Sequence, residues 1–189
     1  MSWLSPIGRY WLQRAAALLG LMIFLGGSQA LHAQTTMSEY QVKALFLLNF
    51  IKYVNWPAGA LPGESDPIVI GVLGQDNFND SLTNAIEGKS INGRSIIIKH
   101  VTEDDDLSGC AVLFISSSET SRLGGILGKT GTLPILTVGE NESFFQDGGI
   151  INFTLRDGKI HLEINLKAAQ KVNLEISSKL LSVADTVKR

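Results

Sequence analysis

One cysteine, three histidines and five prolines in 189 residues, with no excess of either charge, close off several classes of function. A lone thiol, Cys110, excludes an internal disulfide framework and a four-cysteine zinc cluster. A net charge of −2 provides no basic field to collect phosphate backbones, so nucleic acid is not the expected partner. His32, His100 and His161 form no His-Glu-x-x-His pair, and Gly-x-Ser-x-Gly and Gly-x-x-x-x-Gly-Lys are both missing. No catalytic residue, metal ligand or cofactor site is therefore assigned, and the expectation is a protein that is not an enzyme. Low-complexity runs are missing too, while 44% of the residues are hydrophobic. One globular domain with a real core follows.

The first residues have their own organisation. Arg9 and Arg14 precede the apolar run Ala15 to Leu25, and Gly26, Gly27, Ser28 and Ala30 follow. Basic, apolar and small-residue regions in that order read as a secretory signal peptide, cut after Ala30 or, preferably, after Ala33. The run is shorter than the ~20 residues that span a bilayer. Residues 1–33 then form the leader and 34–189 a single domain exported to the periplasm. Removing two arginines and no acid takes the charge from −2 to −4.

Further along, Ser38 and Gln41 form a capping box. Val42, Leu45, Phe46, Asn49, Phe50, Tyr53 and Val54 recur at helical spacing, which predicts a helix stopped by Trp56-Pro57. Past the loop Pro57 to Pro67, the unbroken apolar run Ile68 to Leu73 reads as a strand buried on both faces. Asp76 caps a helix through Phe78, Leu82 and Ile86 that Gly88 ends. Asn92-Gly93 turns the chain into Ile96 to Val101. Ala111 to Ile115 and Leu133 to Val138 read as two more buried strands, separated by a helix through Leu123, Ile126 and Leu127 that Ser118-Glu119 would cap. Ile151 to Leu155 and Ile160 to Ile164 alternate apolar and polar residues around Asp157-Gly158, as an antiparallel hairpin does. Ser177 to Val187 is helix-prone. The expected fold is α/β: three layers, a mainly parallel sheet flanked by helices, with a C-terminal antiparallel hairpin at one edge.

Four features have a functional and a plain reading. Cys110, entering an apolar strand, reads as a small buried hydrophobe, with pairing to a second chain left open. Glu103 to Asp106, beside His100, lack the alternating spacing of a calcium loop and read as a solvated turn. Gly74 to Asn77 reads as a connection rather than an anion cradle. His161, Glu163 and Asn165, with Asn152 and Thr154, make the polar face of the hairpin.

The opening motif Glu39-Tyr40, Val42-Lys43-Ala44, Phe46-Leu47, Asn49-Phe50, Lys52-Tyr53-Val54 and Trp56-Pro57 resembles that of the YfiR family of bacterial periplasmic proteins. The resemblance continues through Gly71-Val72-Leu73-Gly74, Gly93-Arg94, Cys110 to Ile115, Leu136-Thr137-Val138 and Gly148 to Ile151. It closes with Glu163 to Leu166, Ala168-Ala169 and Ile176 to Leu181. It implies a helix-flanked, mainly parallel sheet and a regulator without catalytic activity. That regulator would restrain the periplasmic sensor domain of an inner-membrane diguanylate cyclase or a related sensor, lowering cyclic-di-GMP and biofilm formation. An outer-membrane lipoprotein would release the restraint by sequestering it. Where members with several cysteines use disulfides for redox control, Cys110 stands alone, so control through an internal disulfide is not open to this chain and a homodimer through the cysteine is. The partner-binding candidates are Tyr53 and Trp56, large aromatics near a loop, and Glu163, Asn165 and Lys179 in the C-terminal motifs. The alternative is a small-ligand sensor feeding a membrane signalling protein, its pocket lined by the loops after Leu73, Ile115 and Val138.

Overall fold

The computed structural model describes residues 37–189, apart from 62, 64 and 75–77. The leader and the Asp76 cap lie outside the described residues, as does most of the turn Gly74 to Asn77.

Helix α1 (Glu39–Tyr53) starts as its sequence requires. Ser38 Oγ accepts from the Gln41 amide, and Gln41 Oε1 accepts from the Ser38 amide at 2.8 Å. Ala44, Leu47, Leu48, Phe50 and Ile51 are buried, whereas Val42 and Phe46 are half-buried and Leu45 and Tyr53 are each 37% exposed. Apolar residues cover so much of this helix that periodicity does not single out one face. The sheet selects the face bearing Leu47, Leu48 and Ile51.

Strand β1 (Val54–Asn55) ends the helix by turning extended. It pairs antiparallel with β9 (Glu175–Ile176), Val54 opposite Ile176. The main sheet is built from β2 (Ile68–Leu73), β3 (Ser90–Ile91), β4 (Arg94–Val101), β5 (Val112–Ile115), β6 (Leu136–Gly139), β7 (Ile151–Arg156), β8 (Lys159–Asn165) and β10 (Thr186–Lys188). Its order is β10-β8-β7-β6-β5-β2-β4-β3. All neighbours are parallel except β7 with β8 and β3 with β4. Both antiparallel pairs turn on residues with positive φ: Asn92 (52°) and Gly93 (80°), then Asp157 (51°) and Gly158 (70°). Those signs match the right-handed twist of a two-residue hairpin.

Helices α2 (Phe78–Ile86), α3 (Leu123–Thr130), α4 (Leu166–Lys171) and α5 (Ser178–Leu181) complete the fold. Two apolar clusters lie on opposite faces of the sheet. Val112 and Phe114 of β5 join Phe50, Phe78 and Phe153 in one; Leu113 and Ile115 join Leu123, Ile126 and Phe144 in the other. This three-layer arrangement is why the central strands β2, β5 and β6 are buried at every position. Phe78 and Phe114 meet with ring centroids 4.2 Å apart. Phe144 fills a slot between two glycines: a Cβ on Gly149 would stand 2.0 Å from its ring and one on Gly139 2.3 Å away.

Two sequence expectations need correction. The segment Ser177 to Val187 is not one helix: α5 makes a single turn, and β10 then pairs in parallel outside β8. Asp185 directs this change, since its amide donates to the Leu162 carbonyl and its carboxylate accepts from the Leu162 amide, both at 2.9 Å. The hairpin β7–β8 thus stands at one side of the sheet with one short strand added beyond it. The helical segment after β5 is capped by Ser116, whose hydroxyl accepts from the Ser118 amide. Glu119 lies buried within the 3₁₀ turn Ser117–Arg122 and pairs with Arg122.

Candidate functional site

Near the N-terminal end of α1 a lysine is buried. Lys43 is 4% exposed, its ammonium donates to Glu140 Oε2 at 2.6 Å and to Glu39, and it lies 4.9 Å from the Tyr40 ring centre. Glu140 directly follows β6, and its other oxygen accepts from the Ser117 amide after β5. One carboxylate thereby ties the helix to the C-terminal ends of two strands. Burial pulls the lysine pKa down, but hydrogen bonds and charge from Glu140 and Glu39 outweigh it and hold it above the ordinary value of 10.5. Such an ammonium stays protonated near neutrality, which suits a structural tie and not a base or nucleophile.

The network continues into the hairpin. Asn152 is fully buried; its Oδ1 accepts from the Asn141 amide and its Nδ2 donates to the Asn141 carbonyl at 3.0 Å and to Glu163 Oε2 at 3.3 Å. The other Glu163 oxygen accepts from Arg156 at 2.9 Å. Asn165, 4% exposed, caps α4 by accepting from the Ala168 amide at 3.0 Å. His161 Nδ1 lies 2.6 Å from Asp185, and this hydrogen bond, with the Leu162 amide, holds the aspartate below its ordinary range.

A different arrangement closes the C-terminal end of α1. The Tyr53 carbonyl accepts from the Ser177 amide at 2.9 Å, next to the β1–β9 pairing. Ser177 caps α5, on which Lys179 is exposed. Trp56 is half-buried and lines a shallow hollow of about 470 Å³ with Pro57, Leu61 and Arg94. Its indole nitrogen is buried and has no acceptor among the described residues. Tyr53, Trp56 and Lys179 thus gather at this end, whereas Glu163 and Asn165 belong to the hairpin network.

The remaining candidates have local roles. Cys110 is buried, and burial pushes its thiol up, which disfavours the reactive thiolate. In the acidic loop, Asp105 accepts from the Thr102 amide at 2.7 Å and Asp106 from the Ser108 amide at 2.9 Å, and the Glu103 carbonyl accepts from Lys129. No group of three metal-ligating side chains occurs among the described residues. No helix among them is long and apolar enough to cross a membrane. Sequence reasoning missed Lys43, Glu140 and Asn141. Glu39 and Lys43 do show the i, i+4 spacing of a helix ion pair, but that pattern is the usual mark of a solvated face.

A sequence profile described as YfiR/HmsC-like matches residues 40–185. A search of curated proteins finds no match. Among solved structures, a conserved domain protein from Vibrio cholerae O1 biovar El Tor is similar with a TM-score of 0.56 at 14% identity, over 80% of this chain and 61% of that one. At this identity the likeness concerns the fold alone, and the chain spans less than two thirds of that protein. An ABC domain in complex with L-Trp from Streptococcus pneumonia also matches at 14% identity, over 64% of this chain and 55% of its own, with a TM-score of 0.45.

Proposed function

The chain belongs to the YfiR/HmsC-like family, and from that premise we propose that it is an exported regulator that binds the periplasmic sensor domain of an inner-membrane diguanylate cyclase and lowers its output. The family supports, in general terms, a periplasmic role in cyclic-di-GMP signalling, and regulation rather than catalysis. The observation that carries the reading is the match across residues 40–185, nearly the whole of the proposed domain 34–189. Residues 1–33 act as the cleaved leader, and sequestration by an outer-membrane lipoprotein lifts the restraint.

The contact face is assigned to the C-terminal end of α1. Tyr53 and Trp56 supply aromatic surface and Lys179 a cation. Glu163 and Asn165 already have partners within the chain, which supports assigning them to the fold of the hairpin rather than to direct contact. Deleting the gene should raise intracellular cyclic-di-GMP, and complementation should restore it only when residues 1–33 are present. An unchanged level on deletion, or full rescue by the leaderless chain, would overturn the reading.

A further inference from the structure

A second region has binding chemistry that the regulatory reading leaves unused. A pocket of about 350 Å³ opens between the end of α3, the start of β6 and α4, and no residue of α1 lines it. Of the three loops singled out from the sequence as sensor walls, only the one after Val138 contributes, through Asp147 and Gly148. The floor is apolar: Leu127, Ile135 and Val172 are each buried and face the space. Its uncharged polar side chains are already engaged. Thr130 donates to the Ile126 carbonyl, Thr137 accepts from the Ile150 amide at 3.1 Å, and Asn165 caps α4.

What remains open is positive. Lys167, Lys171 and Lys188 line the pocket against one acid, Asp147, in a chain whose overall charge is −2. None of the three lysines makes an ion pair among the described residues. Lys167 and Lys171 stand four residues apart on α4, a spacing at which like charges repel. Local cation excess over an apolar floor, with the neutral polar groups satisfied, describes a receptor for an anion that carries an apolar body. The volume suits one small molecule rather than a protein segment.

We propose that this pocket binds a small organic oxyanion: an apolar body of roughly one ring against Leu127, Ile135 and Val172, with a carboxylate or phosphate held by Lys167, Lys171 and Lys188. The proposal is independent of the cyclase reading and concerns another part of the surface. Calorimetric titration of the exported chain with benzoate, phenyl phosphate, benzyl alcohol and inorganic phosphate tests it. At least one of the two aromatic anions should bind about tenfold more tightly than both benzyl alcohol and inorganic phosphate, and which of them binds identifies the head group. The Lys167→Gln/Lys171→Gln variant should weaken that binding about tenfold, with an unchanged or slightly raised Tm, whereas Lys89→Gln should leave it intact. The Lys188→Gln variant gives the same reading from a different element. The proposal is overturned if neither aromatic anion binds at millimolar concentration, if inorganic phosphate or benzyl alcohol binds as tightly, or if the lysine variants bind undiminished.

Discussion

The two ends of α1 are attached to the domain by different means. Near the N-terminal end the tie is a side-chain charge: Lys43, buried against Glu140 and paired also with the more exposed Glu39, reaches the ends of β5 and β6. At the other end the tie is backbone, through β1 against β9 and the Tyr53 carbonyl on Ser177. A buried charge tie consumes its side chains and is sensitive to the loss of any partner. A backbone tie leaves side chains free for display. Tyr53 and Lys179 expose their side chains because the backbone bonds that hold their segments do not involve those side chains.

The comparison can be broken most forcefully at the charged end. Glu140→Ala should destabilise the domain by about 3 kcal/mol in urea unfolding, because Lys43 keeps only Glu39 as a partner. Replacing both charges, as Lys43→Met with Glu140→Leu, should recover most of that loss. The same tie predicts an alkaline limit. With the folded pKa of Lys43 raised, its stabilisation is complete below the unfolded value near 10.5 and is lost as pH rises through the folded value. The Tm of the native chain should fall there more steeply than that of the doubly substituted one.

The backbone end should respond less. Ser177→Ala removes the α5 cap and should cost about 1 kcal/mol, with faster amide exchange at Ser177 and Ile176. Lys179→Ala should change stability by less than about 0.5 kcal/mol while weakening binding to the cyclase sensor domain. If stability and binding fall together, Lys179 holds the fold and does not touch the partner.

Legibility in the sequence follows the range of the interaction. The Ser38–Gln41 box, the strand Ile68–Leu73 and both hairpin turns were readable because each depends on residues within a few positions of one another. The buried face of α1 was not legible, because Val42, Leu45 and Phe46 carry the same helical spacing as Ala44, Leu47 and Leu48. Of the candidate site, Tyr53 and Trp56 were named from residue type and Lys179 from its place in the C-terminal motif. Their gathering at one end depends on a pairing between residues 54–55 and 175–176, over a hundred positions apart. Lys43 has only the helical spacing to Glu39 to mark it, and nothing local announces that Glu140 will cover it.

By itself, then, the sequence determined the alternation of elements, the apolar central strands and the tight turns, because local backbone preference and hydrophobic period decide these. Only the tertiary structure decided which face of α1 is buried, that the last residues form a strand and not a helix, and that a lysine lies inside. Each of those outcomes is set by a distant surface that must be covered or a distant charge that must be paired. The outer edge of β8 takes up Thr186–Lys188, and Glu140 takes up Lys43.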